Sequence, residues 1–175
     1  MADLQHNQGR LIINASWFHT REEWDAREPK EVVKLNTPAQ YVVLIELQPQ
    51  YYCDNFKTCS YILQDLQEYH TRNCGLSDIA YNYLLSGGAV GEIYEGRGAH
   101  IQGQHTDGFN AVSLGIGFMD DYASDNITTI KKRFEHFFQF LNDAVQEGYL
   151  VTNYRLRKHK NITIAQNVSQ SSDSL

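Results

Sequence analysis

The 175 residues are enough for one domain with a core of its own, and 42% apolar content is ordinary for a globular chain. A net charge of −6 argues against a nucleic acid or an anionic membrane as partner. No apolar run approaches the roughly 20 residues that span a bilayer, and the polar start MADLQHNQGR lacks the apolar centre of a secretory signal, so any anchor is expected to lie outside this chain.

In chain order, residues 1–9 read as a disordered leader. Trp17, Phe18 and Trp24 supply large apolar anchors in a polar stretch. The β-branched run at 41–47 predicts a buried strand. Residues 57–71 predict a helix with Ile62, Leu63, Leu66 and Tyr69 on one stripe, followed by Gly75. Short strands are expected at 81–85 and from 93 onward, joined by the glycine-rich turn SGGAVGE. Gly96, Gly98, Gly103 and Gly108 punctuate an irregular stretch of the kind that forms binding surfaces. A central strand is expected at 111–118. A second helix spans 127–147, with Ile127, Ile130, Phe134, Phe137, Phe138, Leu141 and Val145 at helical spacing and Gly148 as its stop. Residues 154–156 suggest one more strand, and the Ser/Asn/Gln-rich residues 165–175 a disordered tail. The expected fold class is α/β, a single domain (10–164) with a mixed central sheet flanked by helices.

Two features point to an extracellular protein. Four Asn-x-Ser/Thr acceptors are present, at Asn14, Asn126, Asn161 and Asn167, where about one or two would arise by chance. Cys53 and Cys59 are close enough to close a small disulfide loop. Cys74 is then either a buried thiol, the preferred reading, or an intermolecular hook.

Four stretches, EEWDAREPKEVVKLNTPAQYVV (22–43), the Cys53–Cys59 loop with its helix ending in QEYH (67–70), SDIAYNYLL (77–85) and IYEGRGAHIQGQHTDGFNAVSLGIGF (93–118), together resemble the peptidoglycan recognition protein family. The likeness is greatest to the ectodomains of its insect long-form signalling receptors. The resemblance implies an amidase-like fold with a groove for bacterial muropeptides over the sheet. In catalytic members it implies hydrolysis of the lactyl-amide bond. Zinc is then held by a His at the end of the first strand, a late His and a Cys soon after, with a Tyr in the DI-x-YN motif assisting and one position open for water.

This sequence departs from that pattern. Ile45 stands at the first ligand position, His159 at the second and Asn167 at the third, with Ala165 between them and Tyr81 retained. Glu46 falls on the opposite side of an alternating strand from Ile45. One ligand of three does not hold a catalytic zinc, so no catalytic residue, metal or cofactor is expected. Plain structural readings stand beside these. His159 lies in the run 157–160 and reads as part of a solvated basic turn, Tyr81 as core or sheet surface, and His70 as a cation suited to a helix C-terminus. His100 and His105 are weighed as a metal pair that lacks a third ligand.

The ligand or partner surface is expected at Gly87, Gly88, Arg97, Ala99, His100 and Ile101. The resemblance puts a Trp where Ala99 stands and a different residue pair at His100–Ile101. The loop carrying Gly87 and Gly88 is about two residues longer than usual. Arg97 remains to pair with a carboxylate. These changes imply an impaired groove and a non-catalytic co-receptor whose partner is a paralogous recognition domain presenting a muropeptide. Nucleic acid and direct membrane contact are excluded as partners. The competing readings are a direct muropeptide receptor, a ligand-independent decoy, a zinc amidase and a structural glycoprotein.

Overall fold

The structure, a computed structural model, describes residues 9–47, 51–87, 91–119, 127–159 and 173–174. Its elements are β1 (Phe18–His19), β2 (Ala39–Glu46), α1 (Phe56–Arg72), β3 (Tyr83–Leu85), β4 (Ile93–Glu95), β5 (Ser113–Phe118), α2 (Ile127–Gln146), β6 (Leu150–His159) and β7 (Asp173–Ser174). They form one mixed sheet in the order β1-β4-β3-β5-β2-β6-β7. β2 runs parallel to both β5 and β6 at its centre, and β3–β4 is the antiparallel hairpin expected around the glycine-rich turn. The α/β class and the mixed sheet flanked by helices are as the sequence implied.

β2 is apolar on both faces because helices cover both. Val42 and Leu44 pack with Phe137, Phe140, Leu141 and Ala144 of α2. Val43 and Ile45 pack with Cys59, Leu63 and Leu66 of α1. Strands buried on both sides lose the polar alternation of a half-exposed strand, which is why the run 41–47 reads as continuous apolar sequence.

The helices differ from expectation in which faces they bury. α1 starts one residue early because Asn55 caps it, its side-chain oxygen accepting from the Thr58 N–H at 2.9 Å. Its buried stripe is Cys59, Ser60, Leu63, Leu66, Gln67 and His70, whereas Tyr69 is exposed and Ile62 only half-buried. Gln67 and His70 take core positions because the core offers them partners, described below. In α2 the buried side chains are Arg133, Phe137, Phe140, Leu141 and Ala144, and Phe134 and Phe138 are exposed. Gly148 ends this helix with φ +80°, a left-handed conformation that favours glycine.

β6 is longer than residues 154–156 suggested, because it pairs with β2 from Ala39–Leu150, across an irregularity before Tyr41, to Ile45–His159. The leader and tail expectations fall outside the described residues except at Gly9, Asp173 and Ser174. The last two pair antiparallel with Lys158 and Arg157.

Candidate functional site

On the α1 face of the sheet, the run SLGIGF of β5 leaves two slots where side chains are missing. A Cβ on Gly115 would lie 2.2 Å from Cδ2 of His105, and one on Gly117 would lie 3.1 Å from the Tyr81 ring. The glycines therefore admit two rings against the strand. Gly117 is the register partner of Ile45 on β2, and Ile45 is the partner of His159 on β6. Partners in parallel strands point to the same face. Tyr81, Ile45, His159 and His105 are thus gathered at one end of the central strands.

His159 is 3% exposed and forms the end of β6, so it does not belong to a solvated basic turn. Its Nδ1 is 3.3 Å from Oγ1 of Thr106, and His105 Nδ1 is 3.0 Å from the same oxygen. Burial lowers the pKa of both rings, that of His105 to about 3, with His159 and Arg97 adding repulsion. Both imidazoles are neutral. One hydroxyl proton can be donated to only one ring, so at least one ring donates its own Nδ1–H to Oγ1 and carries a bare Nε2. Both Nε2 atoms are buried without a protein partner among the described residues. The Asn110 side-chain oxygen accepts from the N–H groups of His105 and Thr106 at 3.0 and 2.9 Å and fixes this turn. Sequence reading missed Thr106 and Asn110. The adjacent letters His105-Thr106 and the Asx-type spacing to Asn110 were the available signal.

Tyr81 is buried, and burial raises its phenol pKa. Its ring meets His70 edge-on at 5.6 Å. His70 is not the helix-terminal cation that was expected. Its Nδ1 accepts from the Ala80 N–H at 3.0 Å, and burial pushes its pKa down to about 3, so it is neutral.

Three residues assigned to the ligand surface, Ala99, Arg97 and Gly87, lie inside the protein. Ala99 is 0% exposed and belongs to the core shared with α2. Arg97 is 6% exposed, and its guanidinium donates to the carbonyls of Ile79 (2.6 Å), Gln102 (3.0 Å) and Asp78 (3.3 Å) and to the Gln104 side chain (2.6 Å). Burial lowers its pKa to about 10, yet it remains charged at neutral pH. Its donors are taken up by the protein, so Arg97 is a structural strut and not a free partner for a ligand carboxylate. Gly87 is also buried, Gly88 lies outside the described residues, and His100 and Ile101 are half-buried. His100 and Ile101 face the chain segment at 33–35, since the His100 carbonyl accepts from Leu35 N–H and Ile101 bridges Lys34.

The motif residues around Arg97 are locked in the same way. Asn82 donates to the Gly98 and Ile101 carbonyls and accepts from Gly115 N–H. A Cβ on Gly96 would lie 2.2 Å from the Tyr81 carbonyl oxygen, so only glycine lets these strands meet. Asp78 accepts from Gln67, Arg21 and Ile79 N–H, tying α1 to the N-terminal segment. Buried Glu95 pairs with Arg10, which also pairs with Glu22 and holds its carboxyl at about 2. Asn82, Asp78 and Glu95 were not singled out from sequence. Each is a polar letter within an apolar stretch.

A catalytic zinc needs about three protein donors around one point. Ile45 offers none, and among the described residues no group of three or more His, Cys, Asp or Glu is placed to hold a metal. His100 and His105 gain no third ligand. Asn167 lies outside the described residues, as do the acceptors Asn126 and Asn161. Asn14 is exposed. Cys53 and Cys59 form the expected disulfide, joining the lead-in of α1 to its first turn. Cys74 is free and half-buried rather than enclosed, and Tyr69 lies beside it. No helix among the described residues is long and apolar enough to cross a membrane.

No profile of a known protein family matches the chain. Peptidoglycan-recognition protein SC1a of Drosophila melanogaster is 33% identical over 144 residues, which are 82% of this chain and 75% of that protein. Peptidoglycan recognition protein 3 of Mus musculus is 34% identical over 145 residues, but the match spans only 40% of that longer protein. Among solved structures, peptidoglycan recognition protein-LE in complex with tracheal cytotoxin, a monomeric diaminopimelic acid-type peptidoglycan, superposes with a TM-score of 0.72 at 31% identity. That match covers 91% of this chain and 89% of the other. A common fold, together with sequence likeness over most of its length, makes the chain a member of the peptidoglycan recognition protein family.

Proposed function

We propose that the chain is a non-catalytic peptidoglycan-recognition domain of an extracellular innate immune receptor, acting as a co-receptor for a paralogue that presents a muropeptide. The observation that carries this reading is Ile45 packed beside His159, where the family resemblance implies a metal ligand. An alkyl group there removes a donor and fills its space with carbon, so the remaining rings serve structure and recognition. The excess of glycosylation acceptors and the Cys53–Cys59 bond fit an extracellular setting.

A second reading, direct muropeptide binding by this domain alone, is favoured by the burial of Ala99. The change at this position belongs to the core, so it does not strip an apolar contact from the groove. The Nε2 atoms of His105 and His159, at least one of them an acceptor and neither with a protein partner among the described residues, are the polar groups that a hydroxyl or amide of such a ligand would meet.

Sedimentation velocity of a labelled monomeric muropeptide with this domain, then with a ligand-competent paralogue, separates the two. Co-sedimentation that requires the paralogue supports the co-receptor. A label that moves with this domain alone overturns it in favour of the direct receptor. Association with the paralogue that ignores the muropeptide identifies a decoy.

A further inference from the structure

We propose that the outer edge of β6 at residues 155–159 accepts an extended acidic segment of another protein as an added strand, and that β7 guards this edge from within the chain. β6 lies next to last in the sheet, between β2 and the two residues of β7. Its inner edge is taken by β2 in regular parallel register from Tyr41–Arg155 to Ile45–His159. On the outer edge β7 pairs with Arg157 and Lys158, and no other strand among the described residues pairs there. A strand edge presents a row of N–H and C=O groups that can template a further strand. The template is backbone, so the inference does not rest on the proposed function.

Charge selects the occupant. β6, with the sequence LVTNYRLRKH, holds Arg155, Arg157 and Lys158 and no carboxylate. None of these three bases is ion-paired with a described side chain. Arg155 is exposed. The Arg157 guanidinium carbon lies 5.8 Å from the centre of the Tyr41 ring, and its Nε is buried without a partner among the described residues. Two copies of β6 laid antiparallel about residue 156 would set Arg155 against Arg157, and about residue 155 would set Arg155 against itself. Like charges directly opposite are destabilising, which disfavours a second copy and favours an acidic strand. The chain carries a short strand of this kind. β7 runs antiparallel on the edge, with Asp173 the register partner of Lys158 and Ser174 that of Arg157.

The register also sets the pattern. Arg155, Arg157 and His159 lie on the sheet face of Tyr41, Val43 and Ile45, and Leu156 and Lys158 on the face of Val42 and Leu44. Leu156 packs against the core shared with α2. A strand in the register of β7 therefore matches the edge best with acids opposite Lys158, Arg157 and Arg155 and a branched apolar residue opposite Leu156. β7 supplies one acid and no apolar residue, so a longer strand with the full pattern makes more ladder bonds and displaces it. A helix has its backbone groups paired internally and cannot join the ladder.

The test uses the whole chain and a fluorescein-labelled hexapeptide, Ser-Asp-Glu-Val-Glu-Val, followed by anisotropy. Saturable binding is expected, weakened about tenfold or more by Arg155→Gln with Lys158→Gln. Lys34→Gln with Lys57→Gln removes the same charge from exposed positions outside β6 and is expected to change affinity less than about twofold. In an antiparallel ladder, alternate N–H groups face the partner strand. Peptides N-methylated at Asp and both Val, or at both Glu, should therefore differ, one losing binding about tenfold and the other holding it within about twofold. Asp173→Pro with Ser174→Pro removes the donors of β7 and is expected to tighten binding several-fold. Absence of binding, equal losses in the two glutamine double variants, equal affinity of the two N-methylated peptides, or unchanged affinity in the proline variant each overturns the proposal. A dimer of the chain that the peptide dissolves would make the occupant a second copy, and would overturn it too.

Discussion

Ile45 at the end of β2 is the register partner of His159 at the end of β6, so an alkyl side chain and a neutral imidazole stand side by side under α1. The pair gives the first prediction. Ile45→His exchanges packed carbon for a polar ring with no partner supplied, and is expected to cost about 1–3 kcal/mol in urea denaturation. The purified wild-type chain is expected to carry far less than one equivalent of zinc by atomic absorption. One tightly held equivalent would refute the non-catalytic reading.

Arg97→Ala is expected to act on folding rather than on binding. It leaves the carbonyls of Ile79, Gln102 and Asp78 without this donor, while the Gln104 side-chain oxygen keeps only the Ser77 N–H. Uncompensated buried polar groups of this kind cost about 3 kcal/mol or more in total. Thermal unfolding should show a large loss, and Arg97→Lys should recover little because the forked geometry is lost. A variant as stable as the wild type, but unable to hold muropeptide, would restore Arg97 to the ligand surface.

Stability should rise with pH between about 4.5 and 6.5. His70 and His105 have folded pKa values near 3, whereas an unfolded His titrates near 6.5. Between these values the unfolded chain binds more protons, so acid favours unfolding. The stabilisation is fully present above pH 6.5 and is lost as pH falls toward 3, at about 1.4 kcal/mol per pH unit for each ring at full slope. Glu22, held at about 2 chiefly by Arg10, adds its own loss only below about pH 4.5. Denaturant titrations at half-unit pH steps should show a shallower slope in His105→Gln, with the remainder carried by His70 and by His159 and His100, whose pKa values burial also lowers. An unchanged slope would mean that the ring is already charged in the fold.

Gly96→Ala places a methyl group 2.2 Å from the Tyr81 carbonyl, which is backbone and cannot swing aside. Poor folding is expected, with a loss of about 2 kcal/mol or more where the chain still folds. Gly75→Ala meets no atom within 4 Å but sits at φ +70°, so only the smaller cost of a left-handed alanine, about 1 kcal/mol, is expected.

The sequence by itself determined the fold class, both helices, the central strands and the disulfide, because periodicity, β-branched runs and close cysteine spacing are local signals. It also showed that Ile45 is a residue without a metal donor, since that depends on identity alone. Only the tertiary structure decided which faces are buried. Apolar periodicity put Tyr69 and Phe138 inside and passed over Gln67, His70 and Arg133, because a polar group enters a core only when distant partners satisfy it. Arg97 and His159 moved from surface to interior for the same reason, and Ala99 because its place is in the apolar core shared with α2. The Asp78 carboxylate, the Asn82 amide and the Thr106 hydroxyl complete networks whose members lie 11 to 57 residues apart in the chain. Contacts across such separations leave no periodic trace along the chain, so folding alone brings them together.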